Sequence, residues 1–107
     1  MALRKDVRYQ VQCPVEFVLD GKPGQGMAFN LSRGGCAIES DMFAAADDPV
    51  SLHITVSSQP TPIMIELGKV RWATRREFGI EFMVIENVSK RRLDDFLLVV
   101  ARNKVSS

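Results

Sequence analysis

Apolar and polar residues alternate over most of the chain, a period of two that is typical of strands with one buried face. The clearest example is the segment 9–19, in which every second residue from Tyr9 to Phe17 is apolar. Similar patterns predict further strands over 25–31, 35–40, 50–56, 63–73 and 78–84. We therefore expect about six short strands with turns between them.

Turn residues separate these strands, and two residues mark irregular positions inside them. The segment 20–26 is expected to be a connection in which Asp20 and Gly21 supply the positive φ angles of a tight hairpin. Gly68 predicts a bulge or a bend in the fifth strand, and Pro14 predicts an edge position or a bulge in the first.

Near the C-terminus the period changes to that of a helix with one apolar face. Its apolar residues lie three and four positions apart, at Leu93, Phe96, Leu97, Val100 and Ala101. The helix is expected over about 88–103, beginning near Asn87 or Ser89. We therefore predict a mostly β fold, a small six-stranded antiparallel β-barrel with a C-terminal α-helix that covers an open end or one side.

Length and composition are those of a single globular domain of 107 residues, with 46% hydrophobic and 25% charged residues. The longest apolar runs, such as 96–101, are far shorter than the ~20 residues of a transmembrane helix. A formal charge of +1 argues against a partner such as DNA or RNA, which presents many phosphates at once. Any anionic ligand must be held by a local group of charges.

The two cysteines, Cys13 and Cys36, lie in apolar, strand-like surroundings, and the N-terminus has no apolar signal-peptide core. Both features favour buried free thiols in a cytoplasmic protein. A disulfide between neighbouring strands is the alternative that the sequence leaves open.

Groupings that would support catalysis or metal binding are absent from the sequence. His53 has no matching His, Cys or carboxylate cluster, and so neither a zinc site nor a catalytic dyad is predicted. The acidic pairs Asp47-Asp48 and Asp94-Asp95 are interpreted as a turn and a solvated helix face. We expect no enzyme and no cofactor.

Two polar segments remain as candidates for a binding function. Arg4 and Arg8 lie four residues apart before the first strand, and Asn30-Leu31-Ser32-Arg33-Gly34-Gly35 separates the second and third strands. Taken singly, the arginines are also interpretable as solvated surface cations, and the second segment as an ordinary turn in which Asn and Ser bond the backbone. Their meaning depends on their occurring together.

In this order, the two segments resemble the PilZ domain, a bacterial receptor module for cyclic di-GMP. Such domains carry Arg-x-x-x-Arg before the first strand and Asp/Asn-x-Ser-x-x-Gly between the second and third. The segments Gly68-Lys69-Val70-Arg71-Trp72 and Gly79-Ile80-Glu81-Phe82 are similar to later parts of the family pattern. The resemblance covers nearly the whole chain and implies a PilZ-like split barrel over 9–107.

The resemblance implies that cyclic di-GMP is bound, without catalysis, by Arg4, Arg8, Asn30, Ser32 and Gly35. An arginine fork matches guanine O6 and N7 and also neutralises phosphate. Asn30 offers one carbonyl acceptor to the guanine N–H groups, where many family members have Asp. Arg33, Gly34 and Trp72 are further candidates, although Arg33 is also interpretable as a solvated turn cation and Trp72 as a core or barrel-rim residue.

Residues 1–8 are expected to form a flexible segment that closes over the ligand, so that ligand binding signals to a partner protein. The family serves motility, exopolysaccharide synthesis in biofilms, and transcription. The alternative is an adaptor with the PilZ fold that binds its partner with weak or no affinity for cyclic di-GMP.

Overall fold

A computed structural model describes residues 7–105 of the chain, and Arg4 with the rest of the segment 1–6 lies outside the described residues. The six strands and one helix follow one another as β1 (Tyr9–Leu19), β2 (Lys22–Leu31), β3 (Gly35–Glu39), β4 (Pro49–Ile54), β5 (Ile63–Ala73), β6 (Glu77–Val84) and α1 (Asn87–Val105). The predicted order of elements is confirmed.

The six strands close into an antiparallel barrel in the spatial order β1-β2-β3-β6-β5-β4. Because β4 pairs with β1, the sheet has no open edge, and the expected edge position of Pro14 does not arise. The ladder between β1 and β4 begins at Val15, and the Pro14 carbonyl accepts a hydrogen bond from the Thr55 amide just beyond it at 2.9 Å. Proline is thus placed where its missing N–H leaves this ladder intact.

The barrel interior is filled by the alternate apolar residues of the strands. Phe17 from β1 and Phe78 from β6 meet edge to face, with ring centroids 5.6 Å apart. Leu93, Phe96 and Leu97 on one face of α1 join the same core, and α1 packs against β1 and β5. Burying each such side chain stabilises the fold by roughly 1.5–3 kcal/mol, which fixes the helix to the barrel.

The β1–β2 hairpin confirms the turn predicted at Asp20 and Gly21, whose φ angles are +50° and +82°. The prediction that β2 begins at Gln25 is wrong, because this tight turn leads directly into pairing at Lys22. Gly24 lies inside the strand, where a Cβ would come within 2.1 Å of the Met42 sulfur. Smaller shifts move the ends of β3, β4, β6 and α1 to the bounds given above.

Register irregularities interrupt four of the strand pairs. One lies at Gly68, where a bulge was predicted, one lies between Val50 and Leu52, and three lie beside the candidate site, at Gln10, Asn30 and Trp72. An extra residue in one strand bends it and turns side chains in new directions, and bulges are common next to binding sites. The barrel is therefore most irregular where the candidate residues lie.

Both cysteines are buried and free, which confirms the predicted thiols and shows that the alternative, a disulfide between strands, is wrong. Within residues 7–105 no helix combines the length and the apolarity needed to cross a membrane. Among the same residues, no three or more His, Cys, Asp or Glu side chains are grouped in a way that could hold a metal ion.

Candidate functional site

Arg8 and Asn30 bring the two polar motifs together. The β1–β2 ladder pairs Tyr9 with Leu31 and Gln10 with Asn30, which places the start of β1 beside the end of β2. Arg8 Nη1 donates a hydrogen bond of 2.8 Å to Asn30 Oδ1. Arg8 from the first motif and Asn30 from the second thus lie on one surface.

Ser32 holds the turn between β2 and β3. Its side chain is only 1% exposed, its amide donates to the Gly35 carbonyl at 2.8 Å, and its hydroxyl donates to the same oxygen at 3.2 Å. The Gly34 amide in turn donates to Ser32 Oγ at 3.2 Å. The hydroxyl therefore satisfies backbone groups on both sides of the turn, as Ser commonly does in such loops.

Strand β6 positions the glycine end of this motif. Gly35 lies opposite Glu81, and the Gly34 carbonyl accepts a hydrogen bond of 2.9 Å from the Phe82 amide. A Cβ on Gly35 would lie 2.3 Å from the Ile80 carbonyl oxygen, closer than any side chain allows. Glycine is thus required at position 35 because the backbones of β3 and β6 approach each other closely there.

Trp72 lies at the rim of the barrel, opposite Gly79 on the neighbouring strand. A Cβ on Gly79 would come within 2.1 Å of Trp72 Nε1, and so the indole packs across the bare glycine backbone. The Trp72 side chain is 42% exposed. Of the alternative that Trp72 is a core or barrel-rim residue, the rim position is confirmed and the core position is wrong, and its ring is accessible to a ligand.

A cleft of about 220 Å³ lies between these elements and is lined by Arg8, Gly34, Arg71, Trp72, Gly79, Ile80 and Glu81. Larger grooves of about 490 and 320 Å³ lie on the outer faces of the strands, around Phe29 and around His53. The smaller cleft is the stronger candidate, because it combines two guanidinium groups with an exposed indole, the groups that bind anions and flat rings.

Two ion pairs set the charge around the cleft. Arg71 is paired with the Glu81 carboxylate inside it. Arg33 instead points away to α1, where Nε and Nη2 donate to the two Asp94 oxygens at 2.9 and 3.3 Å. Arg33 therefore does not line the cleft, and Asp94 is a partner of the turn as well as part of a helix surface.

The fully buried thiol of Cys36 lies beneath this region. Burial in the apolar core raises its pKa to about 12, with the charge of Arg8 opposing part of that shift. Burial also raises the pKa of Cys13. Both thiols are therefore neutral, and they act as small apolar residues under the site.

The structure brings Arg8, Asn30, Gly34 and Trp72 to one place, while Arg4 lies outside the described residues. From the sequence alone, Arg71 can be assigned either to a positive rim around the site or, by default, to the solvated surface, and Glu81 is not a candidate. The sequence carries no signal for their pairing. With Ala73 opposite Phe78, a regular hairpin would place Arg71 opposite Ile80 and on the other face from Glu81, and only the extra residue after Val70 changes this.

Two solved structures share this fold at low sequence identity. The PilZ domain of CeSA from a cellulose-synthesizing bacterium superposes with a TM-score of 0.68 and 16% identity, over 92% of this chain and 99% of that chain. The Bacillus subtilis inhibitor of motility MotI/DgrA superposes with a TM-score of 0.74 and 17% identity, over 100% of this chain and 54% of that chain.

No functionally curated protein has significant sequence similarity to the chain. The sequence profile of the PilZ domain, in contrast, matches residues 2–98. That range contains both polar motifs, all six strands and the first part of α1. The chain therefore belongs to the PilZ domain family, a family of cyclic di-GMP receptors whose domains act as binding and adaptor modules.

Proposed function

We propose that this domain binds cyclic di-GMP without chemical change and passes the signal to a partner protein. The observation that carries the proposal is the hydrogen bond of 2.8 Å between Arg8 and Asn30, which joins the two motifs beside an open cleft. A bulky flat dianion needs a cation and a base-reading group on one surface, and these two residues provide them.

Arg4 and Arg8 divide the recognition of base and phosphate. A guanidinium fork donates to guanine O6 and N7 at once, or to two phosphate oxygens, and its plane stacks on the base. Trp72, whose exposed ring borders the cleft, offers a second stacking surface. Together these groups select a nucleotide whose bases are purines.

The turn residues Ser32, Gly34 and Gly35 hold the backbone close to the ligand. Ser32 is buried and bonds the turn, and so its contribution to affinity comes mainly from keeping the turn in shape. Arg33 is adjacent in sequence, and its ion pair with Asp94 ties this turn to α1.

Ligand binding orders the segment 1–8 over the cleft and changes the surface that a partner protein meets. The likeness to an inhibitor of motility makes a motility protein one candidate partner, and biofilm formation is another process that such a receptor would serve. Two free buried thiols are in keeping with a bacterial cytoplasmic setting.

Isothermal titration with cyclic di-GMP tests the proposal, with GTP and cyclic GMP as matched controls. We expect a dissociation constant of about micromolar or tighter for the dinucleotide and much weaker binding of both controls. The same titration gives the number of ligand molecules bound. No heat at high concentrations of cyclic di-GMP would contradict the receptor function.

The second candidate function is a PilZ-fold adaptor with weak or no affinity for cyclic di-GMP. One observation favours it: the single carbonyl oxygen of Asn30 already accepts a hydrogen bond from Arg8, whereas a carboxylate has acceptors to spare. A pull-down from a bacterial lysate that recovers the same partner with and without cyclic di-GMP would support the adaptor.

A further inference from the structure

We infer that Arg71 and Glu81 form a guanine-reading pair, in which Glu81 supplies the carboxylate acceptor that Asn30 lacks. This inference rests on the proposed function and names how the same site selects its base. It assigns a specificity role to two residues that lie outside the two polar motifs.

A bulge directs Arg71 into the cleft. The β5–β6 ladder pairs Val70 with Ile80 and then Trp72 with Gly79, which leaves Arg71 as the extra residue of β5. An extra residue in a strand is turned away from the regular alternation. Arg71 and Trp72 are consecutive residues, and both line the cleft.

Glu81 reaches the cleft from the other side of the site. It lies opposite Gly35 of β3 on one edge and opposite Lys69 of β5 on the other. Gly35, the last residue of the polar turn motif, therefore lies directly beside Glu81. Fold and register place Glu81 at the site, independently of its partner Arg71.

The Arg71–Glu81 pair retains hydrogen-bond donors and acceptors that are not used within the pair. Arg71 Nε and Nη2 both contact Glu81 Oε1, and no described residue donates a hydrogen bond to Oε2. A guanidinium has five N–H groups, and so Arg71 also retains donors. With side chains 47% and 45% exposed, the pair can share these groups with a ligand at little cost.

The unused carboxylate oxygen of Glu81 and the unused N–H groups of Arg71 match the hydrogen-bonding groups of guanine and not those of adenine. Guanine presents O6 and N7 as acceptors and N1–H and N2–H as donors, so a neighbouring guanidinium and carboxylate can bond both sets. Adenine has a donor at N6 in place of O6, which would face the guanidinium N–H groups of Arg71, and an acceptor at N1, which would face the carboxylate of Glu81. The pair therefore favours cyclic di-GMP over cyclic di-AMP.

Charge balance in the cleft supports the same conclusion. Arg8 and Arg71 contribute two positive charges, and Glu81 removes one of them. Its carboxylate would repel the ligand phosphates unless it were neutralised, and Arg71 neutralises it. The cleft can therefore hold an acceptor for the base and still attract a dianion.

Titration of wild type, Glu81→Gln and Arg71→Lys with cyclic di-GMP and cyclic di-AMP tests the inference. Glu81→Gln keeps the size of the side chain but replaces an acceptor with a donor, and Arg71→Lys keeps the charge but removes the fork. We expect each variant to lose about tenfold or more in affinity for cyclic di-GMP and to discriminate less against cyclic di-AMP.

Glu77→Gln and Arg75→Lys are the matched controls. Both residues belong to the same two-strand region and do not line the cleft, and so their variants should bind as the wild type does. Both test variants binding like the wild type would overturn the inference and leave the proposed function intact. A wild type that does not bind cyclic di-GMP would overturn both.

Discussion

Arg33 in the β2–β3 turn and Asp94 in α1 form a two-point ion pair, with distances of 2.9 and 3.3 Å. The turn that carries Ser32 and Gly34 is thereby tied to the C-terminal helix. The two side chains are 39% and 38% exposed. A contact of this kind is weak in itself, but it connects the candidate site to a helical surface that a partner protein could contact.

Removing either charge should lower stability only slightly. For Arg33→Ala and Asp94→Asn we expect the free energy of unfolding to fall by about 0.5 kcal/mol, because exposed ion pairs are screened by water. Urea unfolding of both variants and of the charge-swapped double variant measures this. A loss of several kcal/mol in either single variant would contradict the prediction and indicate a packing role.

The same two variants separate two roles for Arg33 in ligand binding. If Arg33 only holds the turn, both changes should weaken cyclic di-GMP binding equally and by no more than about threefold. If Arg33 leaves Asp94 for a ligand phosphate, Arg33→Ala should weaken binding while Asp94→Asn strengthens it. The geometry predicts the first result, because Arg33 points away from the cleft.

Arg8→Ala should abolish most of the ligand affinity and leave the fold intact. Arg8 is exposed and contributes one side-chain hydrogen bond to Asn30, and so we expect little change in thermal stability. Loss of a charged fork from the site should cost about 2 kcal/mol or more in binding, roughly a 30-fold weaker dissociation constant. Arg91→Ala on the exposed surface of α1 is the control, and unchanged binding by Arg8→Ala would exclude this residue from the site.

The architecture was predictable because its signals are local. Alternation marks each strand, the Asp20-Gly21 turn requires positive φ angles that few residues tolerate, and the apolar face of the helix repeats from Leu93 onward. The start of β2 was not predictable from the same signals. Its glycines at 24 and 26 look like loop residues, yet they serve close packing between strands.

The candidate site was predictable only in part, because strand register and helix packing, and not sequence spacing, bring some of its residues together. Whether Arg71 faces Glu81 depends on a bulge after Val70, and no residue in the sequence indicates that bulge. Whether Arg33 turns toward the cleft or toward Asp94 depends on where α1 docks. Such relationships are set by tertiary packing and have no period that a single sequence could reveal.

The fluorescence of Trp72 should report ligand binding. It is the only tryptophan in the chain, it is 42% exposed, and its ring lines the cleft beside Arg71. A purine stacked on the indole excludes water from its face, and so we expect a change in intensity that saturates with cyclic di-GMP. The affinity from this signal should equal that from calorimetry, and a flat signal with clear heat would place the base away from Trp72.

Gly35→Ala should be strongly destabilising, whereas Gly79→Ala should be tolerated. The Cβ that the first substitution adds would lie 2.3 Å from the Ile80 carbonyl oxygen, which belongs to a paired strand and cannot move alone. We expect a loss of about 1–3 kcal/mol, measured by urea unfolding. At Gly79 the obstacle is the exposed Trp72 ring, which can swing aside. Equal losses in the two variants would show that strand pairing at Gly35 can adjust.

Stability should fall as the pH rises above 9, because the buried Cys36 thiol resists ionisation. Its pKa is raised from 9.0 to about 12 in the folded state, while the unfolded chain releases the proton near the ordinary value. Between these values the folded protein binds one more proton than the unfolded chain. The free energy of unfolding then decreases by about 1.4 kcal/mol per pH unit from this group alone.

Urea unfolding of wild type and Cys36→Ala under reducing conditions, from pH 7 to pH 10.5, measures this effect. Other groups titrate in both proteins, and so the difference between the two unfolding free energies isolates the thiol. That difference should be constant below pH 9 and should shift against the wild type above it, since the variant has no thiol to ionise at this position. Cys13, whose pKa burial also raises, is present in both proteins, and its charge is the smallest of the three causes that act on the pKa of Cys36, so the difference is dominated by Cys36. Parallel pH profiles would mean that Cys36 ionises as readily in the folded protein as in the unfolded chain, which is incompatible with a dry core beneath Arg8.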